Sequence, residues 1–434
     1  MNATSQSLTW LGTLGGYESR ANGVSDDGSM VVGYAYNETG WQKRAFLWTA
    51  ETGMMDLGTL GDSNSGARDI SSDGSVIAGW SIDDTSFVKA VTWSAGGGIM
   101  NLGTLPGGHE SEAYAISGNG SVVVGESWDG EGHILAFRWE NGLMQSIGLS
   151  GTQYSRAHDV SADGSVVCGY LIDPETNFMH AFRWTADGGI QDLGTLGGDE
   201  SEAFAVSGDG SVVTGYSETS FWSAGHAFRW TGEGGMEDLG TLGGIFSRAY
   251  DISEDGSVIV GISDRANSTQ GAFIWTPEGM EDLDLLYSSL FGSESHTSFA
   301  TAVSGDGRYI VGQGYNGTTQ RLEGFLLDRG PMTAVKEKGP AASSPVLFQN
   351  APNPFSTSTR IRFTIPEPGQ VTIVIRSVTG EPVITLVDGH RSAGEHQLVW
   401  TGVNETGNPL SSGFYMCQLT VKGYPPARVM MVKK

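Results

Sequence analysis

The chain has 434 residues, a formal net charge of −25, 65 glycines and two cysteines. The length exceeds one ordinary core, and with no run of about 20 apolar residues no helical membrane span is expected. The acidity argues against nucleic acid as a partner, and two cysteines are too few for a disulfide framework.

In chain order, residues 7–14 (SLTWLGTL) come first, a lone strand whose exit matches GMEDLGTL at 235–242. One phrase then recurs seven times: GVSDDGSMVVG, DISSDGSVIAG, AISGNGSVVVG, DVSADGSVVCG, AVSGDGSVVTG, DISEDGSVIVG and AVSGDGRYIVG. Its turn glycines are Gly28, Gly74, Gly120, Gly164, Gly210, Gly256 and Gly307, spaced 46, 46, 44, 46, 46 and 51 residues apart. Asp-Gly between β-rich runs predicts a hairpin in which both residues supply positive φ. In the fifth period the strands are SEAFAVS (201–207), SVVTGYS (211–217), HAFRW (226–230) and MEDLG (236–240). Four short strands per period in the 40s, with no helical periodicity between them, predict a propeller blade. The seventh copy stops after its third strand, GFLLD at 324–328. The expected fold of residues 1–328 is therefore a seven-bladed β-propeller closed by the N-terminal strand, which removes the exposed sheet edge.

Several positions repeat too faithfully to be a site. Trp48, Trp93, Trp139, Trp184, Trp230 and Trp275 recur every 45 or 46 residues, with Leu327 in the seventh place, and predict packing between sheets. His180 and His226 have no partner at metal-ligand spacing, so neither a metal site nor a cofactor is expected. Ser-x-Asp-Gly-Ser differs from the sialidase Asp-box in its glycine position and in lacking Thr-Trp, so it reads as turn chemistry. Glu112, Arg156, Glu202 and Arg248 fill one first-strand position with alternating sign and predict inter-blade ion pairs near the channel mouth. The loops between second and third strands vary instead. They carry Trp41, Phe87, Trp128, Phe178, Phe221 and Trp222 beside acidic residues. Rings beside carboxylates on a rigid scaffold suit sugar stacking and hydroxyl bonding. Trp41, Trp128, Phe221 and Trp222 are the expected ligand contacts, on the loop face. The opposite face, with its near-identical turns, is expected to offer no distinctive pocket.

Residues 329–344 read as a linker rich in Ala, Pro, Gly and Ser. Residues 345–434 alternate as short strands, including TRIRFTI (359–365), VTIVIRSV (371–378) and GFYMCQLTV (413–421), and predict a small Ig-like β-sandwich. Charge divides with the segments: residues 1–328 hold 43 acidic and 13 basic side chains, and residues 329–434 hold 6 and 11. Cys168 and Cys417 read as small buried apolar residues.

Two resemblances add to this. QNAPNPF (349–355), VTGEPV, AGEHQLVW, GNPLSSGFYMCQL and the terminal VMMVKK resemble the C-terminal sorting domain of type IX secretion substrates, which is similar to the FlgD Ig-like domain. Thr401 and the IRSVTG turn depart from that pattern in turn chemistry alone. The resemblance implies export to the bacterial surface or beyond, with the secretion machinery as partner. The opening MNATSQ has neither the basic start nor the apolar core of an export signal. So either the chain is cytosolic, or an export signal lies upstream of this start. The repeat resembles the extracellular HAF family, whose phrase stands at His180-Ala181-Phe182 and His226-Ala227-Phe228, with LGTLGG at 11–16, 193–198 and 239–244. That family brings no chemistry to transfer. The functional expectation is a secreted or surface module that binds glycan or protein without catalysis. The alternative is a glycan hydrolase or lyase, which would need two carboxylates, or His with Tyr or Arg, at the channel mouth.

Overall fold

Ser25, Asp27 and Gly28 show how each repeat begins in the computed structural model. The Ser25 hydroxyl donates to Asp27 Oδ1 at 2.8 Å, Asp27 Oδ1 also accepts from Ser29 N, and Gly28 N reaches Ser25 O at 2.9 Å. Gly28 has φ +67°, and no Asp of the seven turns has positive φ. The turn is thus a one-glycine reversal braced by an Asx side chain, not a hairpin in which both Asp and Gly are left-handed.

The structure describes residues 6–434 except 62, 95–97, 150, 221–224, 293, 331–344, 349, 351–352, 357, 367–368, 378–380, 392–393, 407 and 425. It divides into two compact units, Met1–Met332 and Thr333–Lys434. Most of the expected linker, 331–344, lies outside the described residues.

The first unit is a succession of antiparallel four-stranded sheets, such as Ser111–Ile116, Val122–Trp128, Ile134–Glu140 and Leu143–Ser146. In the last repeat, His296–Val303, Tyr309–Asn316 and Arg321–Asp328 pair in order, and Ser7–Trp10 lies antiparallel on the outer edge, from Ser7 opposite Asp328 to Trp10 opposite Phe325. The turns join in a closed circle of hydrogen bonds. Asp26 N reaches Ser72 O, Ser72 N reaches Gly118 O, and Asn119 N reaches Ala162 O; Ala162 N then reaches Gly208 O, Gly208 N Glu254 O, and Glu254 N Gly305 O. Gly305 N returns to Asp26 Oδ1 at 3.0 Å. This ring of sheets is propeller-like.

A serine pins each junction between neighbouring sheets. Ser65 Oγ accepts from Ala45 N of the preceding repeat and donates to Gly58 O in the connection. Ser111 repeats this with Ala90 N and Gly103 O. Ser19 does the same with Gly324 N of the last repeat and Gly12 O of the N-terminal segment.

The first strands carry a bulge, as between Ala113 and Ala115. A second-strand glycine makes room for it: a Cβ on Gly33 would lie 2.0 Å from Arg20 O. The bulge re-aims the flanking side chains and so builds the channel wall. Between sheets, Phe46, Phe137, Phe182, Phe228, Phe273 and Phe325 are at most 1% exposed, each contributing about 1.5–3 kcal/mol by burial. Trp93 is buried completely, Trp48, Trp230 and Trp275 nearly so, and Trp139 and Trp184 pack partly exposed against their clusters. Cys168 is buried and unpaired. Contrary to expectation, a short helix, Leu283–Leu286, interrupts the strands. Asp282 caps it, its side chain accepting from Asp284 N, and it fills the long 51-residue interval.

The second unit is a two-sheet sandwich. Val346–Leu347, Thr359–Ile365 and Gly394–Trp400 form one sheet, and Pro382–Arg391, Gly369–Ser377, Gly413–Val421 and Ala427–Lys433 the other. Alternate residues of both sheets, among them Ile361, Phe363, Ile373, Ile375, Cys417 and Leu419, share one core.

Candidate functional site

Around the first strands the channel wall is charged, but the pairs differ from the expected ones. Arg68 binds Glu112 at 2.5 Å, Arg156 binds Glu126 at 2.7 Å, and His158 meets Glu202 at 3.0 Å. Arg248 lies over the rings of Tyr216 at 4.9 Å and Phe204 at 5.2 Å. So Glu112 does not pair with Arg156, nor Glu202 with Arg248. The cause is register: Glu112 and Glu126 stand opposite each other in one hairpin. Two adjacent carboxylates each need a cation, and arginines from the repeats on either side supply them. These groups are partly to mostly buried, so the Coulomb gain of each pair is set against the cost of desolvating its charges. Burial works against the Arg156 guanidinium, but Tyr114 and Glu126 outweigh it and hold it charged. Burial pushes the His158 pKa down, partly offset by Glu202. Arg68, Glu126 and His158 escaped the sequence reading. For Glu126 the available signal was the residue after the second-strand glycine, which varies between repeats: Tyr34, Trp80, Glu126, Tyr170, Tyr216, Ile262 and Gln313.

The face bearing the Asp-Gly turns does hold a pocket, against expectation. A cavity of about 110 Å³ is lined by turn residues Asp26, Ser72, Gly118 and Glu254 and, deeper, by Asp69, Asp159 and Asp251. These three carboxylates alternate around the ring with Ala115, Ala205 and Ala302. Each takes two backbone N–H bonds, one from the next residue and one from the following repeat. Asp69 accepts from Ile70 and Ile116, Asp159 from Val160 and Val206, and Asp251 from Ile252 and Val303. Burial pushes Asp69 up to about 6. Burial, then the charge of Asp69, takes Asp159 up to about 7. Asp251 moves the same way, by burial and by Asp159. The alternation with alanine keeps like charges off adjacent strands.

On the loop face, Trp41 is 87% exposed. Trp128 is half-buried, its ring 5.2 Å from that of His109, which meets Phe87 at 5.0 Å. Phe221 and Trp222 lie outside the described residues. Tyr17 stacks on Tyr36 at 4.5 Å on the same face. His180 and His226 donate from Nδ1 within their own sheets, to Asp192 at 2.8 Å and Asp238 at 2.9 Å. Among the described residues no three metal-ligating side chains come together, and no helix is long and apolar enough to cross a membrane.

The fold class is thus all-β, a propeller-like ring of sheets followed by an Ig-like sandwich. A family described as the FlgD Ig-like domain matches residues 354–423. No curated protein matches the chain in sequence. Among solved structures, the chain is similar to TolB from Acinetobacter baumannii (15% identity, TM-score 0.38, covering 50% of this chain and 52% of that one). It is also similar to the β-propeller domain of the Trilobed protease from Pyrococcus furiosus (10% identity, TM-score 0.46, 75% and 96%). A third is the Pyrococcus horikoshii acylaminoacyl peptidase (10% identity, TM-score 0.47, 80% and 59%). The chain spans about half the length of that TolB and less than two thirds of the peptidase.

Proposed function

We propose that residues 1–328 are a seven-bladed HAF-type propeller whose last blade is completed by Ser7–Trp10, and that residues 345–434 are a type IX sorting domain recognised by the secretion machinery. The protein works at the bacterial surface or outside the cell, binding a glycan or protein through its loop face without catalysis. The seven turns linked in a circle and Ser19, which makes the same pair of bonds as Ser65 and Ser111, support the blade count and the closure. The FlgD Ig-like match supports the tail assignment.

The observation that carries the binding reading is the set of rings held on variable loops: exposed Trp41 and the Phe87–His109–Trp128 cluster. Flat apolar faces with polar edges suit sugar rings. The enzyme alternative needs carboxylates available for proton transfer. Asp69, Asp159 and Asp251 are each committed to two backbone N–H groups bridging repeats, which favours a structural role for them. A glycan array with the whole chain, run beside hydrolysis assays on the same sugars, tests the reading. Saturable binding without turnover supports it, and turnover of a bound sugar overturns it in favour of the enzyme.

A further inference from the structure

The channel wall divides into two unlike sectors. In repeats two to five the charged groups find partners, through the Arg68–Glu112 and Arg156–Glu126 ion pairs and the hydrogen bond between His158 and Glu202. In repeats six, seven and one, the same wall position holds Arg248, Phe299 and Arg20. Among the described residues neither of these arginines forms an ion pair. The Nε of each is shut off from solvent and makes no hydrogen bond. Both guanidiniums rest on aromatic faces instead. Arg20 lies 4.5 Å from the Phe299 ring centre, and Arg248 lies over Tyr216 and Phe204. Phe204, Tyr250 and Phe299 form a continuous wall, with ring centres 5.7 and 6.5 Å apart.

Unpaired guanidiniums are unusual in a segment with 43 acidic side chains. Burial lowers the Arg20 pKa and nearby Arg68 adds to this, against opposition from Tyr34 and Tyr250, so an anion there would relieve a real cost. Carboxylates that act on the rings of this sector include Glu18, on Tyr34, and Glu218 and Glu200, on Tyr216. Glu18 already accepts from Gln313 and Tyr34, Glu218 accepts from Asp199 N, and Glu200 and Glu218 raise the pKa of Tyr216 behind its burial.

We propose that the sector bounded by Arg20 at one end and Arg248 at the other of the ring wall of Phe204, Tyr250 and Phe299 takes one anionic group, a carboxylate or sulfate, on one sugar of a glycan, held by the arginine at that end. A guanidinium offers paired donors matched to such a group, and the rings offer a stacking surface to the sugar that bears it. The surrounding acidity decides the ligand further. A polyanionic chain is repelled by the rest of the propeller over the Debye length of about 10 Å at 0.1 M salt, whereas one isolated anion escapes most of that repulsion. The inference rests on the glycan-binding reading above.

Calorimetry on the whole chain tests it with three probes: xylotetraose, xylotetraose bearing one glucuronate, and xylotetraose bearing one sulfate. At least one charged probe binds about tenfold more tightly than the plain tetraose, a difference of about 1.4 kcal/mol, and which of the two does so identifies the anion. Arg20→Gln or Arg248→Gln, whichever arginine holds the group, abolishes that preference, whereas Trp128→Ala weakens all three alike. Raising salt from 20 to 150 mM does not weaken the charged probe. Each variant is melted in parallel. Arg20→Lys or Arg248→Lys at the same position, which keeps the charge but loses the fork, reduces the preference severalfold and covers a Gln variant that fails to fold. Equal affinity for all three probes, or a preference untouched in every arginine variant, overturns this inference and leaves the glycan reading standing. Binding of none of the probes, with capture of an acidic peptide in their place, overturns both.

Discussion

Removing the Ser19 hydroxyl is the sharpest perturbation of ring closure. Ser19 is fully buried; its Oγ donates to Gly12 O at 2.5 Å and accepts from Gly324 N at 2.9 Å. It therefore ties the N-terminal segment, the first repeat and the last repeat with one atom. Ser19→Ala leaves the Gly324 N–H and the Gly12 carbonyl each short of a partner. A buried group left unsatisfied costs about 1–3 kcal/mol, so a loss of about 2 kcal/mol is expected. For a unit spanning Met1–Met332, an unfolding entropy of about 2.1 cal/mol/K per residue converts this to a melting shift of about 3 °C. Ser65→Ala is the internal control, because Ser65 makes the equivalent bonds between two consecutive repeats. Differential scanning calorimetry of both variants should give drops of similar size. A longer perturbation, deletion of residues 1–14, also removes Leu11, which is 5% exposed, and the pairing of Ser7–Trp10 with Phe325–Asp328. It bares the Arg321–Asp328 edge and should produce aggregates in size-exclusion chromatography. If Ser65→Ala melts 3 °C lower and Ser19→Ala less than 1 °C lower, with the truncated chain still monomeric, the closure argument fails.

The buried aspartates set a pH dependence. Their native pKa values lie above the ordinary value of about 3.9, so the folded state holds the proton more tightly, and the stability they contribute is present at pH 4 and lost as pH rises towards 7. For Asp159, raised to about 7, the loss is at most about 4 kcal/mol. Asp159→Asn should be less stable at pH 4, through its lost N–H acceptor, yet show a shallower decline from pH 4 to 7 in urea melts; an unaltered slope would falsify the assignment. Trp41→Ala should weaken glycan binding about tenfold, from stacking of about 1–3 kcal/mol by analogy with bases, without moving the melting temperature, since the ring is 87% exposed. A lower melting point with unchanged affinity would instead make it a packing residue. The tail from Ser344 onward, fused to a periplasmic reporter in a type IX-competent bacterium, should carry the reporter outside the cell; its retention while a known tail succeeds in parallel would refute the sorting role.

Much of the architecture could be read from residues in order, because its causes are local. A turn braced by Asp27 and reversed at Gly28 needs only five neighbouring residues. Buried Phe and Trp at a fixed period report which strand lies between sheets, and alternation in 359–365 and 413–421 reports a half-buried sandwich strand. The Ig-like tail was legible for the same reason, as its FlgD Ig-like match reflects. Partner choice was not local. Glu112 and Arg156 hold matching positions in consecutive repeats, yet each pairs elsewhere, since the hairpin register sets Glu126 beside Glu112 and hands Arg156 to it. The cavity on the turn face escaped notice because its carboxylates come from repeats about 90 residues apart, Asp69, Asp159 and Asp251, and only the circle of sheets brings them together. That Arg20 and Arg248 lack an ion pair among the described residues was hidden likewise, since pairing is decided by what surrounds a charge in three dimensions. Sequence by itself determined which strands form and which rings are core, because propensity, turn chemistry and burial period act over a few residues. Tertiary structure alone decided which charges pair and which do not, because that balance is struck between segments far apart in the chain.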